Sequence, residues 1–191
     1  MKQFVFALIV VLLAAGAYAG DCDWPAIQPQ ARPGGYWHWM GSAVDEANIT
    51  RELETFRAAG MGGVHIIPIY GAKGYEERYV EYLSPRWMEL LHYTVSEADR
   101  LGMFVDMTTG TGWCFGGPNI PDDMASALVT YNKSDHAIRL KPSGSKVKRA
   151  APGGEGWMLN LFQRAAITHY LERFDEAFAR YDGPLPRAMY H

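Results

Sequence analysis

The chain has 191 residues, 48% of them hydrophobic and 20% charged, with a formal net charge of −3. That is enough apolar material for one core of ordinary size, and too little charge for a disordered tail. The 18 Lys and Arg against 21 Asp and Glu build no basic field, which argues against nucleic acid and anionic membrane surfaces and leaves polar, neutral or weakly charged partners.

The opening MKQFVFALIVVLLAAGAYAG sets Lys2 before an apolar run from Phe4 to Ala15 and the small-x-small ending Ala17-Tyr18-Ala19. This reads as a secretory signal over 1–19, cleaved after Ala19, so the mature chain is expected to be secreted or periplasmic. The run falls short of the ~20 residues a bilayer span requires, and no stable span is expected after cleavage. Residues 20–34 read as a leader. Export permits a disulfide, but Cys22 sits in that leader and Cys114 reads as a small, partly buried filler.

Next, GYWHWMG (35–41) is an aromatic run flanked by glycine, expected to be a buried strand. VDEANITRELETFRAAG places Ile49, Leu53 and Phe56 at helical spacing behind an Asp45 cap and ahead of Gly60. GGVHIIPIYG (62–71) reads as a second strand, apolar on both faces, with Pro68 ending regular pairing. SPRWMELLHYTVSEADRLG opens a helix with Ser84 as cap and Pro85 in the first turn and stops it at Gly102. MFVDMTT (103–109) is the third strand. Apolar strands alternating with helices describe an α/β fold with a parallel sheet, either doubly wound or a barrel.

The rhythm then breaks. Polar and apolar residues alternate around NKSD, which predicts a β-hairpin inserted after the third strand, within about 122–158. A long helix is expected from about Phe162 to Tyr181, with Phe162, Ala166, Tyr170, Phe174, Ala177 and Phe178 on one stripe. PRAMYH begins a fourth strand. Four strand-helix steps are half of an eight-step barrel, so residues 35–191 are expected to be the amino-terminal part of a (β/α)8 domain, a partial TIM-type barrel of about four strands. A compact open sheet is the alternative.

In parallel α/β folds function collects at the carboxyl ends of strands. The candidates there are Trp37, His38 and Trp39; His65 and Tyr70; and Asp106, Thr108, Trp113 and Asn119. The loop TGTGWCFGGPNIP (109–121) resembles a phosphate loop only superficially, because it misses the dinucleotide spacing, lacks the lysine and leads into proline instead of a helix. A single histidine in WHW gives no first-strand metal pair. Trp113, with glycines on both sides, is expected to offer its indole face to a sugar ring, with Trp37 and Trp39 as weaker candidates of the same kind. Trp87, on a helix, reads as core. Asp106 could transfer a proton, bind a metal or orient a neighbour, the last being the least demanding role. Glu155 in APGGEG is a second weak catalytic candidate that also reads as a solvated turn residue. KVKR (146–149) reads as the solvated end of the hairpin, without a site.

Three stretches, GGYWHWMGSAVDEANITRELETFRAAGMGGVHI, TGTGWCFGGPNIP and KVKRAAPGGEGWMLNLFQRAAITHYLERFDEAF, together resemble the amino-terminal part of glycoside hydrolase family 106, the α-L-rhamnosidase-like enzymes. Their order and spacing cover nearly all of the chain after the signal. The resemblance implies a (β/α)8 barrel, inverting hydrolysis of a terminal deoxysugar in a pectin-type, rhamnose-containing polysaccharide, and room for a calcium ion with no ligand set assigned. Inversion requires two carboxyl groups about 6.5–9.5 Å apart with a water between them. The positions carried over as site-shaping or sugar-facing are Trp37, Trp39, Trp113, Gly116, Gly117, Pro118 and Glu155, none of them a secure acid or base. His38, Cys114 and Asn160 depart from the family's habit. The expected function is therefore an amino-terminal fragment of an exported rhamnosidase-like hydrolase, inactive alone for want of the catalytic pair. A non-catalytic carbohydrate-binding protein from the same barrel is the alternative, and a small complete enzyme using Asp106 and His65 is a third.

Overall fold

The computed structural model describes residues 25–190. The expected signal, its cleavage point, Cys22 and His191 lie outside the described residues. In chain order the elements begin with β1 (Gly34–Met40), α1 (Glu46–Ala58), β2 (Gly63–Ile69), α2 (Pro85–Arg100) and β3 (Phe104–Thr108). There follow β4 (Gly116–Gly117), β5 (Ala127–Asn132), β6 (Ala137–Pro142), β7 (Trp157–Met158), α3 (Arg164–Phe178) and β8 (Ala188–Tyr190).

Local chemistry explains the helix starts. The Asp45 carboxylate accepts the Asn48 amide at 2.9 Å, which satisfies one of the open donors at the α1 terminus. Ser84 caps α2 in the same way through the Trp87 amide, and Pro85 takes the first helical position. At the far end of α2, Gly102 adopts φ +63° and turns the chain into β3.

β1, β2, β3 and β8 form one parallel sheet in that spatial order. Alternation along β1 sends Trp37 and Trp39 to one face and Tyr36, His38 and Met40 to the other. On the first face Trp39, Val64, Ile66, Val105 and Met107 merge with Ile49 and Leu53 of α1, Leu90, Leu91 and Val95 of α2, and Ala166, Tyr170 and Phe174 of α3 in a single core. Full burial of an aliphatic side chain of this size contributes roughly 1.5–3 kcal/mol. The second face is open, with Tyr36, His38, Met40 and Tyr190 exposed and His65, Asp106 and Thr108 half-buried. A doubly wound sheet would bury both faces; this one buries one.

Three expectations need correction. Pro68 does not end the pairing, since the β1–β2 register runs on to Met40 and Ile69. It is tolerated because the ladder with β3 stops at Ile66 and Met107, on the side where a proline N–H is missed, and its carbonyl there accepts the Gly112 amide. Phe162 is not on the buried stripe of α3: it precedes the helix and is fully exposed. β1 is also not buried on both sides.

The expected hairpin is present, with its turn at 133–136. Its register pairs Val129 with Leu140 and Tyr131 with Ile138, which puts four apolar side chains on one face. All four are exposed. At its base the ribbon continues through the β4–β7 pair and isolated bridges from Ala125 to Leu159, Lys146 to Trp157 and Trp113 to Lys148.

Candidate functional site

The loop after β3 is anchored from below by two buried tyrosines. Tyr82 donates its hydroxyl to the Thr108 carbonyl at 3.0 Å, and Tyr170 donates to the Thr109 carbonyl at 2.8 Å. Burial pushes the Tyr170 phenol up to about 12 and that of Tyr82 well above its ordinary value, so both remain protonated donors at neutral pH. Above this anchor, segment 110–117 lies against the backbone of 146–158. Gly112, at φ +60°, has no room for a Cβ because it would collide with the Lys148 carbonyl, and a Cβ on Gly116 would meet the Trp157 carbonyl. Trp113 and Lys148 exchange backbone hydrogen bonds of 2.8 and 2.9 Å. The glycines thus admit a neighbouring strand, and that strand fixes the Trp113 backbone.

The result is a hollow of about 470 Å³ at the carboxyl edge of the sheet, lined by the loop from Gly110 to Phe115 with Tyr36, His38, Ile67, Thr108 and Tyr190. Such a volume is in the range of ordinary small-molecule sites, roughly 300–1,000 Å³. Trp113 lines it with its side chain 48% exposed. Tyr36 continues the aromatic surface, edge-on to His38 at 6.4 Å and to His65 at 5.7 Å, while His65 meets Tyr190 at 4.3 Å. Among the described residues, no carboxylate lines this hollow.

A second depression of about 440 Å³ lies beside it, where Tyr36 is joined by His65, Asp106 and Arg187. Both oxygens of Asp106 accept from the Arg187 guanidinium, and that guanidinium also stacks 3.6 Å above the Phe104 ring. The His65 Nε2 is buried and has no hydrogen-bond partner among the described residues. Burial holds the imidazole below its ordinary value, with nearby Asp106 pulling it back up, so the neutral form dominates at pH 7.

The sequence candidates therefore separate. Trp113 and His38 line the main hollow, and His65 with Asp106 the adjoining depression. Trp39 does not reach either: it is fully buried and packs 5.7 Å from both Trp37 and Trp87. Trp37 turns the same way and packs edge-on against Phe56 of α1, so the three indoles do not converge. Asn119 also lies elsewhere, its amide donating to the His169 carbonyl of α3 at 3.1 Å. Glu155 is an exposed turn residue whose carboxylate accepts the Gly153 amide at 2.9 Å. Cys114 is exposed, at φ +68°, and is no filler of the interior. Tyr36 and Tyr190 were missed. Alternation along β1 carries the signal for Tyr36, because it shares a face with His38 and not with Trp37.

A family model described as alpha-L-rhamnosidase matches residues 27–139. The chain belongs to this family, glycoside hydrolase family 106. A Formosa agariphila protein provisionally named a beta-glucuronidase is 30% identical over 139 residues, covering 72% of this chain and 11% of that protein. The rhamnosidase of Novosphingobium sp. PP1Y shares 23% identity at a TM-score of 0.45, over 56% of this chain and 10% of that one. The chain thus spans about a tenth of the length of these two relatives.

Calcium takes about six to eight oxygen ligands, several of them carboxylates. The hollow offers no carboxylate, Asp106 is held by Arg187, and the described residues contain no cluster of three or more His, Cys, Asp or Glu side chains able to hold a metal. These residues do not fit calcium. What the hollow can do is seat a ring against an indole and offer polar contacts around it, with no pair of acids lining it among the described residues.

Proposed function

We propose that this chain forms the sugar-seating part of an exported rhamnosidase-like glycoside hydrolase, built as one section of a (β/α)8 barrel. The ligand is a rhamnose-containing glycan, with pectin-type polymers among those that carry it. The reading is carried by one observation: a half-exposed indole, Trp113, whose backbone is paired to Lys148, lines a hollow of saccharide size in a glycoside hydrolase family member. The C–H face of a pyranose packs on such a ring while its hydroxyls bond to the polar groups around it. Neither Asp106, tied to Arg187, nor Glu155, bonded within its own turn, is assigned as the inverting acid or base. Within the reaction this chain's groups bind and orient the sugar. Asp106 orients Arg187, and neutral His65 sits beside the aromatic wall.

The test is calorimetric titration of the chain with a rhamnose-containing oligosaccharide. Binding is expected, and Trp113→Ala should weaken it about tenfold, the equivalent of ~1.4 kcal/mol of lost stacking. An affinity unchanged in that variant would remove the basis of the reading.

A further inference from the structure

Beside Trp113 stands a cation that the fold leaves uncommitted. Arginines 51, 78, 86, 100, 139 and 187 each hold a carboxylate. Arg149 holds none among the described residues. Its guanidinium lies 5.4 Å from the Tyr70 ring and 5.4 Å from the Trp113 ring, and both rings are exposed. Stacking on aromatic faces occupies the π surface of a guanidinium and leaves its in-plane N–H fork directed to whatever arrives.

The backbone reinforces the placement. Arg149 sits at φ +56°, a left-handed conformation that a residue with a Cβ adopts at a cost. Backbone hydrogen bonds on two sides hold it there: the Tyr70 amide donates to the Arg149 carbonyl at 2.9 Å, and Trp113 pairs with Lys148 next door. Lys146 and Lys148, also exposed, add positive charge to the same strand. Among the described residues, the adjoining hollow contributes no negative charge to repel an anion.

We propose that Arg149 is a specificity residue that reads an anionic substituent, a carboxylate or a sulfate ester, on the saccharide seated at Trp113. The planar fork matches the paired oxygens of either group, and its aromatic bed spares the entropy of ordering a free side chain. This rests on the saccharide reading above and adds to it the charge of the ligand and the group that recognises it. The run KVKR thereby gains a role at its last residue.

The experiment uses three matched oligosaccharides that contain rhamnose: one with uronate residues, the same one with its carboxylates reduced to alcohols, and a sulfated form of the reduced one. Each is titrated calorimetrically into the full chain, Arg149→Ala and Arg149→Lys, at low and raised salt. The unaltered chain should bind an anionic form about tenfold more tightly than the reduced one, with the advantage shrinking as salt rises. Whichever anionic form gains identifies the group that is read. Arg149→Ala should remove the advantage and leave affinity for the reduced ligand within about twofold, and Arg149→Lys, which keeps charge without the fork, should fall between. Equal affinity for all three ligands, or an anionic advantage that survives in Arg149→Ala, overturns the proposal and leaves the saccharide reading intact. Binding of none of the three brings down the saccharide reading itself.

Discussion

Two tryptophans of similar sequence setting should respond oppositely to truncation. Trp39→Ala removes a fully buried indole from the heart of the core and is expected to cost about 3–5 kcal/mol in chemical denaturation. Trp113→Ala removes an exposed one and should change stability by no more than about 0.5–1 kcal/mol, while saccharide binding suffers. A similar loss of stability in both would contradict the assigned burial. His65 supplies a pH signature. Its folded imidazole is held below the ordinary 6.5 by burial, so the unfolded chain binds the proton more readily. Stability is complete above about 6.5 and declines as pH falls from there through the folded value. His65→Gln should flatten that decline in melting temperatures recorded between pH 8 and pH 5. An unchanged slope would mean that other groups set it. At this scale composition alone was ambiguous: glycines around Trp113 signalled an unusual loop, yet nothing in WHW itself said which of its rings faced the helices.

At the scale of elements, the helix starts were legible because their chemistry is local. Asp45 and Ser84 sit where their side chains accept an amide three residues ahead, and Asp45→Ala should cost about 1 kcal/mol, seen as a lowered denaturation midpoint with an unchanged slope. A cost near zero would show that water caps α1 equally well. The hairpin was legible too, from its alternation and its NKSD turn. What could not be read was anything set by a distant partner. Pro68 looked like a stop until the ladder beside it was known to end at Ile66, and Phe162 matched the period of α3 while lying two residues before its first residue. Asn119 looked free in the loop sequence, but α3 returns to claim its amide. The exposed apolar face of the hairpin has the same origin: the pattern specified a face, not what would lie against it.

For the whole molecule, the order strand, helix, strand, helix, strand announced a parallel sheet, and the structure adds that the four strands lie in chain order with one face covered. The family was within reach from three motifs because two of them carry most of the hollow's wall, Tyr36 and His38 of β1 and the loop from Gly110 to Phe115, and the third carries the segment paired against that loop. The catalytic pair was not, since carboxyl groups that work together are set by a separation in space that neither Asp106 nor Glu155 reveals in sequence. This chain alone is expected to release no detectable aglycone from aryl α-L-rhamnosides over days; measurable turnover would place an acid and a base within it after all. The asymmetric burial of the indoles also has a practical consequence. Among the described residues, which hold Trp37, Trp39, Trp87, Trp113 and Trp157 but not Trp24, only Trp113 is exposed. In a Trp24→Phe variant, which removes the one indole outside them, a collisional quencher such as iodide should darken the Trp113 emission first, and a sugar ring laid on it should shield that light, so the fold carries its own optical gauge of occupancy.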